Sequence, residues 1–546
     1  MISKSRRILI NLGALFVLMI GAIITLAWYF GQQELAPLSA AETSVSLNES
    51  VERLNDAFES SWKELDLDSA PAAPAHTVAR RLSLALTGAT PSLEEIRRFE
   101  KLSDEGDPTQ SWLNHLFEDQ RYNNYVAERF ARAFVGVGPG PFIIYRRRRM
   151  VNWLSEQLAV NRPYDELVRD IIASEGTWTT NPETNFITAA VIQDGDNKGP
   201  DEVKLAARTS RAFLGISLDC VQCHDDKFGD RWKQEDFHQL AAFYAQADMT
   251  ISGVREKSEK DYETAYKGVK EPSVVEPKVP FAEELKPEAG SRRKQLAEWI
   301  TDGNNRAFAR ATVNRAWALL FGRPLVDPVD DIPLEGPYPT GLDVLTDEFI
   351  ESGHDFQHLL RLIAASAPFQ RASGSNDPDK PVTIEQEAAW AAFPVTPLRP
   401  EQVAGSIIQS ASFRALDSDA HIIDKFRRFG ETNDFVKRYG DQGENEFQEE
   451  SGTIPQRLLL MNGKLVGERT GENPIMNSST RVAHYSSSEK QAVKAAFLAL
   501  LTRKPTAEES DHFAESLKKK NPKAKARASA DLYWALINST EFSWNR

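Results

Sequence analysis

Apolar residues recur with the period of an α-helix through most of this chain of 546 residues. Leu54, Phe58, Trp62 and Leu65, for example, would share one face of a helix at 51–65. The same period recurs at 203–214, 234–247, 292–300, 307–321, 342–352, 356–367, 400–412, 455–465, 489–502 and 528–539. Residues 185–193 are compatible with a strand or a helix, and no repeat of fixed length is present. The pattern predicts a mainly α fold.

The length of the chain predicts more than one domain, because a single hydrophobic core stops growing well below this size. Residues 251–291 are rich in Lys, Glu and Pro and have little helical period, although 273–275 fits an extended segment. We therefore predict a connector at 251–291 between a helical domain at 51–250 and a second helical domain at 292–546. At the start of the first domain, Thr90 is predicted to cap a helix that has Pro91 at its first position.

The N-terminal region contains an uncharged stretch at 8–30 that is long enough to cross a bilayer. Basic residues precede it at 4, 6 and 7, and Glu34 is the first charge after it. This charge bias predicts a cytoplasmic N-terminus at 1–7, a single transmembrane anchor at 8–30 and a linker at 31–50 that leads to an exported body. A cleaved signal peptide is the alternative, because small residues stand at 39–41.

The two cysteines of the chain are Cys220 and Cys223, and His224 follows directly. The pattern C-x-x-C-H is typical of covalent haem c attachment, in which two thiols bind the porphyrin and the imidazole binds the iron. The sequence therefore predicts a cofactor site in which Cys220 and Cys223 hold haem c and His224 is the proximal metal ligand. An exported compartment permits this chemistry, and it also permits a Cys220–Cys223 disulfide.

Other uses of the two thiols remain open. A redox-active dithiol is expected between a strand and a helix, whereas the surroundings here look helical. Zinc needs more soft ligands than this cluster supplies. A structural disulfide is the main chemical alternative to haem.

A low-spin haem iron needs a second axial ligand, and His238 and Met249 are the nearest candidates downstream. His238 could instead form the polar edge of an apolar helix, and Met249 could be a core or loop residue. An open sixth position would allow the iron to bind a ligand.

Three further charged groups have a structural and a functional interpretation. The basic run at 146–149 could bind an anion, but a solvated face paired with the protein's own carboxylates is favoured. Asp327, Asp330 and Asp331 could bind calcium or act in acid–base chemistry, but capping and ion pairs with Arg315 and Arg323 are favoured. His354 and His358 flank a predicted helix boundary at Gly353, so we do not expect a metal pair.

The net charge of −14 and the pI near 5.3 argue against nucleic-acid binding. Fingerprints of nucleotide-binding and hydrolase folds are absent from the sequence, which leaves the question of an enzyme open.

Many short motifs follow one another in a fixed order along both halves of the chain. They are RRLSLALTG at 80–88, PYDE at 163–166, LG at 214–215, CVQCHD at 220–225, DRW at 230–232, NRAW at 314–317, FGR at 321–323, LVDPVDD at 325–331, PQ at 455–456, MN at 461–462, TRKP at 502–505 and NSTEF at 538–542. With these motifs the chain resembles the planctomycete-type cytochrome-like proteins, in which two domains of unknown function occur in tandem. The resemblance spans roughly residues 50–546.

The resemblance implies an exported bacterial protein with a cytochrome-c-like motif in the domain at 51–250. We expect a single-pass protein of the bacterial inner membrane, with the bulk of the chain in the periplasm, that transfers electrons or senses redox with an exported partner. The alternatives are a helical scaffold with a Cys220–Cys223 disulfide and an exported enzyme linked to polysaccharide breakdown. The family pattern C-H-D-H-P-F is altered here, because Asp226 and Lys227 replace the second histidine and the proline.

Overall fold

The computed structural model describes residues 47–102, 106–138, 145–192, 199–226, 231–250, 252–375, 377, 379–415, 432–440, 443, 447, 453–473, 477–518 and 521–546. The predicted cytoplasmic N-terminus, the anchor at 8–30 and most of the linker lie outside these residues. Within the described ranges, every helix is too short or too polar to cross a membrane.

The described chain is mainly helical, as the apolar periodicity predicts. The helices are α1 (Leu47–Glu64), α2 (Ala75–Thr87), α3 (Leu93–Leu102), α4 (Pro108–Phe117), α5 (Gln120–Val135), α6 (Arg147–Ala159), α7 (Tyr164–Ala173), α8 (Asn185–Thr188), α9 (Glu202–Thr209), α10 (Gln234–Ala241), α11 (Arg292–Ile300), α12 (Arg306–Phe321), α13 (Leu342–Glu351), α14 (Phe356–Ala365), α15 (Ala367–Gln370), α16 (Ile384–Ala388), α17 (Pro400–Ser410), α18 (Ile454–Asn462), α19 (Lys464–Thr470), α20 (Ser478–Tyr485), α21 (Glu489–Leu501), α22 (Ala507–Leu517), α23 (Pro522–Ile537) and α24 (Thr540–Ser543). Residues 432–439 are helical as well.

Short helical turns and strands connect these helices. A π-helical turn (Ser210–Leu214) continues α9, and 3-10 turns lie at Pro182–Thr184, Asp219–Gln222, Ala242–Tyr244 and Glu283–Leu285. Strands β1 (Ala247–Thr250) and β2 (Gly253–Glu256), β3 (Tyr262–Thr264) and β4 (Ser273–Val275), and β5 (Thr396–Pro397) and β6 (Trp544–Asn545) pair antiparallel in that order. In the first hairpin Met249 is opposite Val254, and in the second Tyr262 is opposite Val275.

The larger hydrophobic core draws its side chains from both sides of residues 251–291. Phe58 stacks on Trp317 at a centroid distance of 5.7 Å, and Tyr164 stacks on Phe308 at the same distance. A second core is built from buried residues between Leu398 and Phe542, together with Leu84 of α2. The two halves of the described chain therefore share one core, while the predicted domain limits at 51–250 and 292–546 stay predictions.

Side-chain caps set several helix ends. Asp107 accepts from the backbone N–H groups of Thr109 and Gln110 at the start of α4. Thr453, Thr506 and Thr383 each form a reciprocal capping box at the start of α18, α22 and α16.

The cap predicted at Thr90 is wrong. Ser92 forms the capping box of α3, because its hydroxyl accepts from the Glu95 N–H while the Glu95 carboxylate accepts from the Ser92 N–H. Thr90 lies two residues earlier, and its buried Oγ1 has no hydrogen-bond partner among the described residues. Two hydroxyl residues compete for one helix start, and the one with a glutamate three residues later forms the cap.

Most predicted helices are confirmed within a few residues, including α11 and α12. The helix predicted at 234–247 ends earlier, because α10 stops at Ala241 and Ala247 already belongs to β1. The segment predicted as extended at 273–275 is β4, and residues 185–188 form the short helix α8.

Buried arginines tie segments that are distant in sequence. The guanidinium of Arg293 is fully buried, forms an ion pair with Glu256 and donates from Nη1 to the carbonyls of Ile172 and Ser174, both at 3.0 Å. Arg81 of α2 is equally buried and donates to the carbonyls of Phe369, Arg371 and Arg546 at 2.8, 2.8 and 3.0 Å. Each arginine therefore satisfies acceptors on several segments at once.

We expect Arg293→Met to lower the free energy of unfolding by about 3 kcal/mol, because it leaves Glu256 and two backbone carbonyls without their donor. The measurement is chemical denaturation of the full-length protein. Arg438→Met is the matched control, since Arg438 is exposed and pairs only with Asp434 among the described residues, and it should change stability by less than about 0.5 kcal/mol. Equal effects of the two variants would contradict the role given to Arg293.

Candidate functional site

The loop that carries the two cysteines begins at Gly215, which ends the π-helical turn after α9. Gly215 has φ +64°, and a Cβ at this position would lie 2.9 Å from Ile332 Cδ1 and 3.1 Å from Ala311 Cβ. The Gly215 carbonyl accepts from the Ile332 N–H at 2.7 Å. The absence of a side chain here lets the cysteine loop pack directly against the loop that contains Asp330 and Asp331.

Both thiols lie on the solvent side of a single 3-10 turn. The turn spans Asp219–Gln222, and the Cys223 N–H donates to the Cys220 carbonyl at 3.4 Å. Cys220 lies within the turn, and Cys223 follows it directly as the C-cap residue. Both cysteines are free and exposed, whereas Val221 between them is buried in the core.

His224 follows the turn with one ring nitrogen already engaged. Its Nδ1 lies 2.8 Å from the Asp225 carbonyl oxygen. A carbonyl can only accept, so Nδ1 carries the proton and Nε2 is the nitrogen with a free lone pair. This arrangement is the one that metal-binding histidines commonly have, because the hydrogen bond fixes the tautomer and the ring orientation.

The carbonyl of Gln222 is held by two side chains of α10. Gln234 Nε2 donates to it at 3.0 Å, and His238 Nε2 lies 3.1 Å from the same oxygen. His238 Nδ1 in turn lies 2.8 Å from the hydroxyl of Tyr262 in β3. His238 is thus a neutral Nε2–H donor that accepts from Tyr262, in accord with its pKa, which burial lowers from its ordinary value.

The structure separates the two candidates for a second iron ligand. His238 lies directly behind the cysteine turn, but both of its ring nitrogens are occupied by hydrogen bonds. Met249 is half-buried in β1, where it packs against the main core. His238 therefore offers no free ring nitrogen, and the assignment of a second ligand stays a prediction.

The loop that contains Asp327, Asp330 and Asp331, which we call the acidic loop, faces the cysteine loop. Asn314 of α12 fixes its course, because its side chain donates to the carbonyls of Val326 and Val329 and accepts from the Val326 N–H. Asp327 and Asp331 are exposed and Asp330 is half-buried.

Two of the charges that act on Asp331, those of Arg231 and Asp226, come from the segment around the cysteine loop. Partial desolvation raises the pKa of Asp331 although the residue as a whole is exposed, the positive charge of Arg231 opposes this rise, and the negative charges of Asp330 and Asp226 add to it. The expected partners lie elsewhere, since Arg323 donates to the Glu387 carbonyl and stacks over Trp390, and Arg315 lies near Tyr164. The two loops therefore meet at the Gly215–Ile332 hydrogen bond and interact electrostatically through Arg231 and Asp331.

The remaining sequence candidates have structural roles. Arg147 of the basic run forms a bidentate ion pair with Glu128 at 2.8 and 2.9 Å, which agrees with the favoured interpretation of that run. Trp232 is buried in the main core. His354 precedes α14 and lies 3.8 Å from Asp165, whereas His358 lies within α14, so the two histidines belong to different backbone environments.

Sequence analysis missed a cluster of Glu95, His115 and Asp119, whose side-chain ligand atoms lie within 4.8 Å of one another. Arg121 fills this cluster, since it pairs with Glu95 and also with Asp119 at 2.6 Å. Burial alone would raise the pKa of Glu95, but the hydrogen bond from His115 and the charge of Arg121 lower it to about 2. The cluster is an ion-pair network around Arg121. Its one local signal in the sequence is the glutamate three residues after Ser92, which is the spacing of a capping box.

Comparison with known proteins gives two family matches along the chain. Residues 53–249 match PSCyt2, a protein family of unknown function (DUF1549), and residues 292–420 match PSD1, a protein family of unknown function (DUF1553). The first match contains the whole cysteine loop, and the second contains the acidic loop that packs on it. No curated protein and no solved structure matches the chain.

The resemblance seen in the sequence motifs is thereby confirmed over residues 53–249 and 292–420. The chain belongs to the planctomycete-type cytochrome-like proteins, with the PSCyt2 and PSD1 families in tandem.

Proposed function

We propose that this protein carries one haem c, attached through Cys220 and Cys223 with His224 as an iron ligand, and that it transfers electrons or senses redox. The observation that carries the proposal is the hydrogen bond from His224 Nδ1 to the Asp225 carbonyl, which leaves Nε2 free to bind a metal. Family membership supports it, since the first domain is of a cytochrome-like family.

The two thiols fit the attachment chemistry. They are free and exposed, and one lies within a short 3-10 turn while the other follows it directly, so both are accessible to a porphyrin. Bound haem supplies an iron centre that takes up and releases an electron. Gln234 and His238 hold the Gln222 carbonyl between the two cysteines, so the turn keeps its shape while the thiols remain accessible.

The proposal includes a location and a partner. The uncharged stretch at 8–30, with basic residues before it, supports a single anchor in the bacterial inner membrane and a periplasmic body. An exported redox protein is the expected partner, because exposed attachment residues give a neighbouring molecule access to the haem edge. The acidic net charge gives no support to a nucleic-acid partner.

Co-expression of the full-length protein with c-type cytochrome maturation factors is expected to yield a reduced haemochrome spectrum and an intact mass raised by one haem. Cys220→Ser combined with Cys223→Ser should abolish both signals, because no other cysteine exists in the chain. A wild-type protein without haem, with a mass lower by a pair of hydrogen atoms, would identify a Cys220–Cys223 disulfide and refute the proposal.

His224→Ala should separate attachment from coordination. The raised mass should persist, since the thioethers form through the cysteines, whereas the absorption spectrum of the iron should change because its imidazole ligand is lost. His484→Ala is the matched control, as His484 is an exposed histidine on α20, and it should leave mass and spectrum unchanged. An unaltered spectrum in His224→Ala would remove His224 from the iron.

His238 is expected to position the cysteine turn rather than bind the iron. His238→Leu and Tyr262→Phe break the same hydrogen-bonded chain, so both should lower the yield of attached haem by a similar factor and leave the spectrum of the attached haem unchanged. Absorption spectra of the two variants provide the measurement.

Met249→Leu tests the other candidate ligand in the same experiment. Because Met249 is packed against the core, its variant should retain the wild-type ferric spectrum. Loss of the band diagnostic of methionine ligation would make Met249 the second axial ligand. A spectrum altered by His238→Leu but not by Tyr262→Phe would give that role to His238.

A further inference from the structure

A groove of about 660 Å³ lies between the start of α2, the segment after α15 and the C-terminal strand β6. Its walls include Thr77, Ser373, Arg457, Trp544 and Arg546, and we call it the arginine groove. Its volume lies within the range of clefts that bind small molecules, about 300–1,000 Å³. It is built from other segments than the cysteine and acidic loops, so it is a site of its own.

Arg81 holds the walls of the groove in place. Its buried guanidinium donates to the carbonyls of Phe369 and Arg371, which precede Ser373 in the sequence. It also donates to the backbone oxygen of Arg546, which follows β6. Arg81 is fully buried, and its guanidinium connects the segments that form the walls of the groove. A site held in this way loses little conformational freedom when a ligand binds.

The charge of the groove is positive although the protein as a whole carries −14. Arg81, Arg457 and Arg546 line it, and Glu541 is the acidic side chain among the lining residues. Glu541 is already neutralised, because it pairs with Arg546 and accepts from Arg503 at 2.6 and 2.8 Å. The charge of Arg546 is paired with Glu541, so an anion in the groove would meet the positive charge of Arg457.

Arg457 supplies the available guanidinium. It is half-buried on α18, and in the described parts of the chain no carboxylate lies within ion-pair distance of it. A guanidinium binds a carboxylate or a sulfonate through two parallel hydrogen bonds, which gives both affinity and orientation.

The start of α2 adds to the positive field. Pro74 occupies the N-cap position and provides no side-chain acceptor for the first turn. Pro74 and Thr77 both line the groove, so the positive end of this helix of 13 residues faces it.

The opposite wall is apolar and aromatic. Trp544 is half-buried in β6, and among the described residues its ring stacks on no other aromatic side chain. Val395 lies beside it and is 41% exposed. An indole face and a valine suit the flat body of a ring rather than a small inorganic ion.

We propose that the arginine groove binds a ring-bearing organic acid, with its carboxylate or sulfonate on Arg457 and its ring on Trp544. The site selects for charge through Arg457 and the start of α2, and for a ring through Trp544 and Val395. It is independent of haem attachment at Cys220 and Cys223.

Isothermal titration of the full-length protein with 2-naphthoate, 2-naphthalenesulfonate and the neutral 2-naphthylmethanol tests the proposal. At least one of the two acids should bind saturably, with a single site and at least about tenfold more tightly than the alcohol, because a charge-assisted hydrogen bond contributes about this factor. The stronger of the two acids identifies the acid group. Equal binding of the alcohol, or no saturable binding of either acid, would overturn the proposal.

Arg457→Gln should weaken binding of the preferred acid at least about tenfold and leave binding of the alcohol unchanged. Trp544→Leu should weaken both probes, since it removes the ring surface but keeps the charge. Arg438→Gln is the matched control, because Arg438 is an exposed arginine outside the groove, and it should bind like the wild type. Unchanged affinity in Arg457→Gln, with its unfolding temperature equal to that of the wild type, would refute the assigned anion contact.

Discussion

The fold depends on guanidinium groups that are buried and bonded to backbone carbonyls. Arg81 is fully buried, and this burial lowers the pKa of its guanidinium well below the ordinary value. The charge is tolerated because the carbonyls of Phe369, Arg371 and Arg546 replace water around it. Since these acceptors lie hundreds of residues from Arg81 in sequence, one side chain fixes the relative positions of α2, the segment after α15 and β6.

Side-chain donors to a backbone carbonyl also hold the cysteine loop, although its thiols are exposed. Its turn buries Leu218 and Val221 in the core and presents the thiols to solvent. The Gln222 carbonyl, which has no partner within the turn, receives donors from Gln234 and His238 on α10. The loop is thus held by the core and by α10 on one side and exposes its thiols on the other. This arrangement is expected of a functional loop on a rigid scaffold.

The helices could be predicted from sequence because apolar periodicity is a local signal. Helix α11, for instance, begins and ends at the residues its pattern indicates. The hairpins β1–β2 and β3–β4 were not predicted as pairs, since strands of three or four residues carry too few side chains for a pattern.

The candidate site could be predicted only where a short sequence motif marks its residues. Cys220, Cys223 and His224 stand next to one another in the sequence, so their pattern identifies them. The position of His238 could not be predicted, because its partners are a backbone carbonyl and the hydroxyl of Tyr262. Arg81 and Arg457 belong to segments that meet only in the folded chain, so no local pattern indicates the arginine groove.

The structure gives a physical reason why the two families occur together in one chain. The PSCyt2 region supplies Gly215, whose carbonyl accepts from Ile332 of the PSD1 region, and aromatic pairs such as Tyr164 with Phe308 join the two regions in one core. Either region alone would expose that apolar surface to water, at a cost of about 25 cal/mol for each Å².

The departure from the family pattern lies at this same contact. Asp226 stands where the pattern has a second histidine, and its negative charge acts on Asp331 of the acidic loop, against the positive charge of Arg231. A neutral imidazole at this position would remove one of the negative charges that raise the pKa of Asp331. In this chain the position therefore contributes to the electrostatic balance between the two loops.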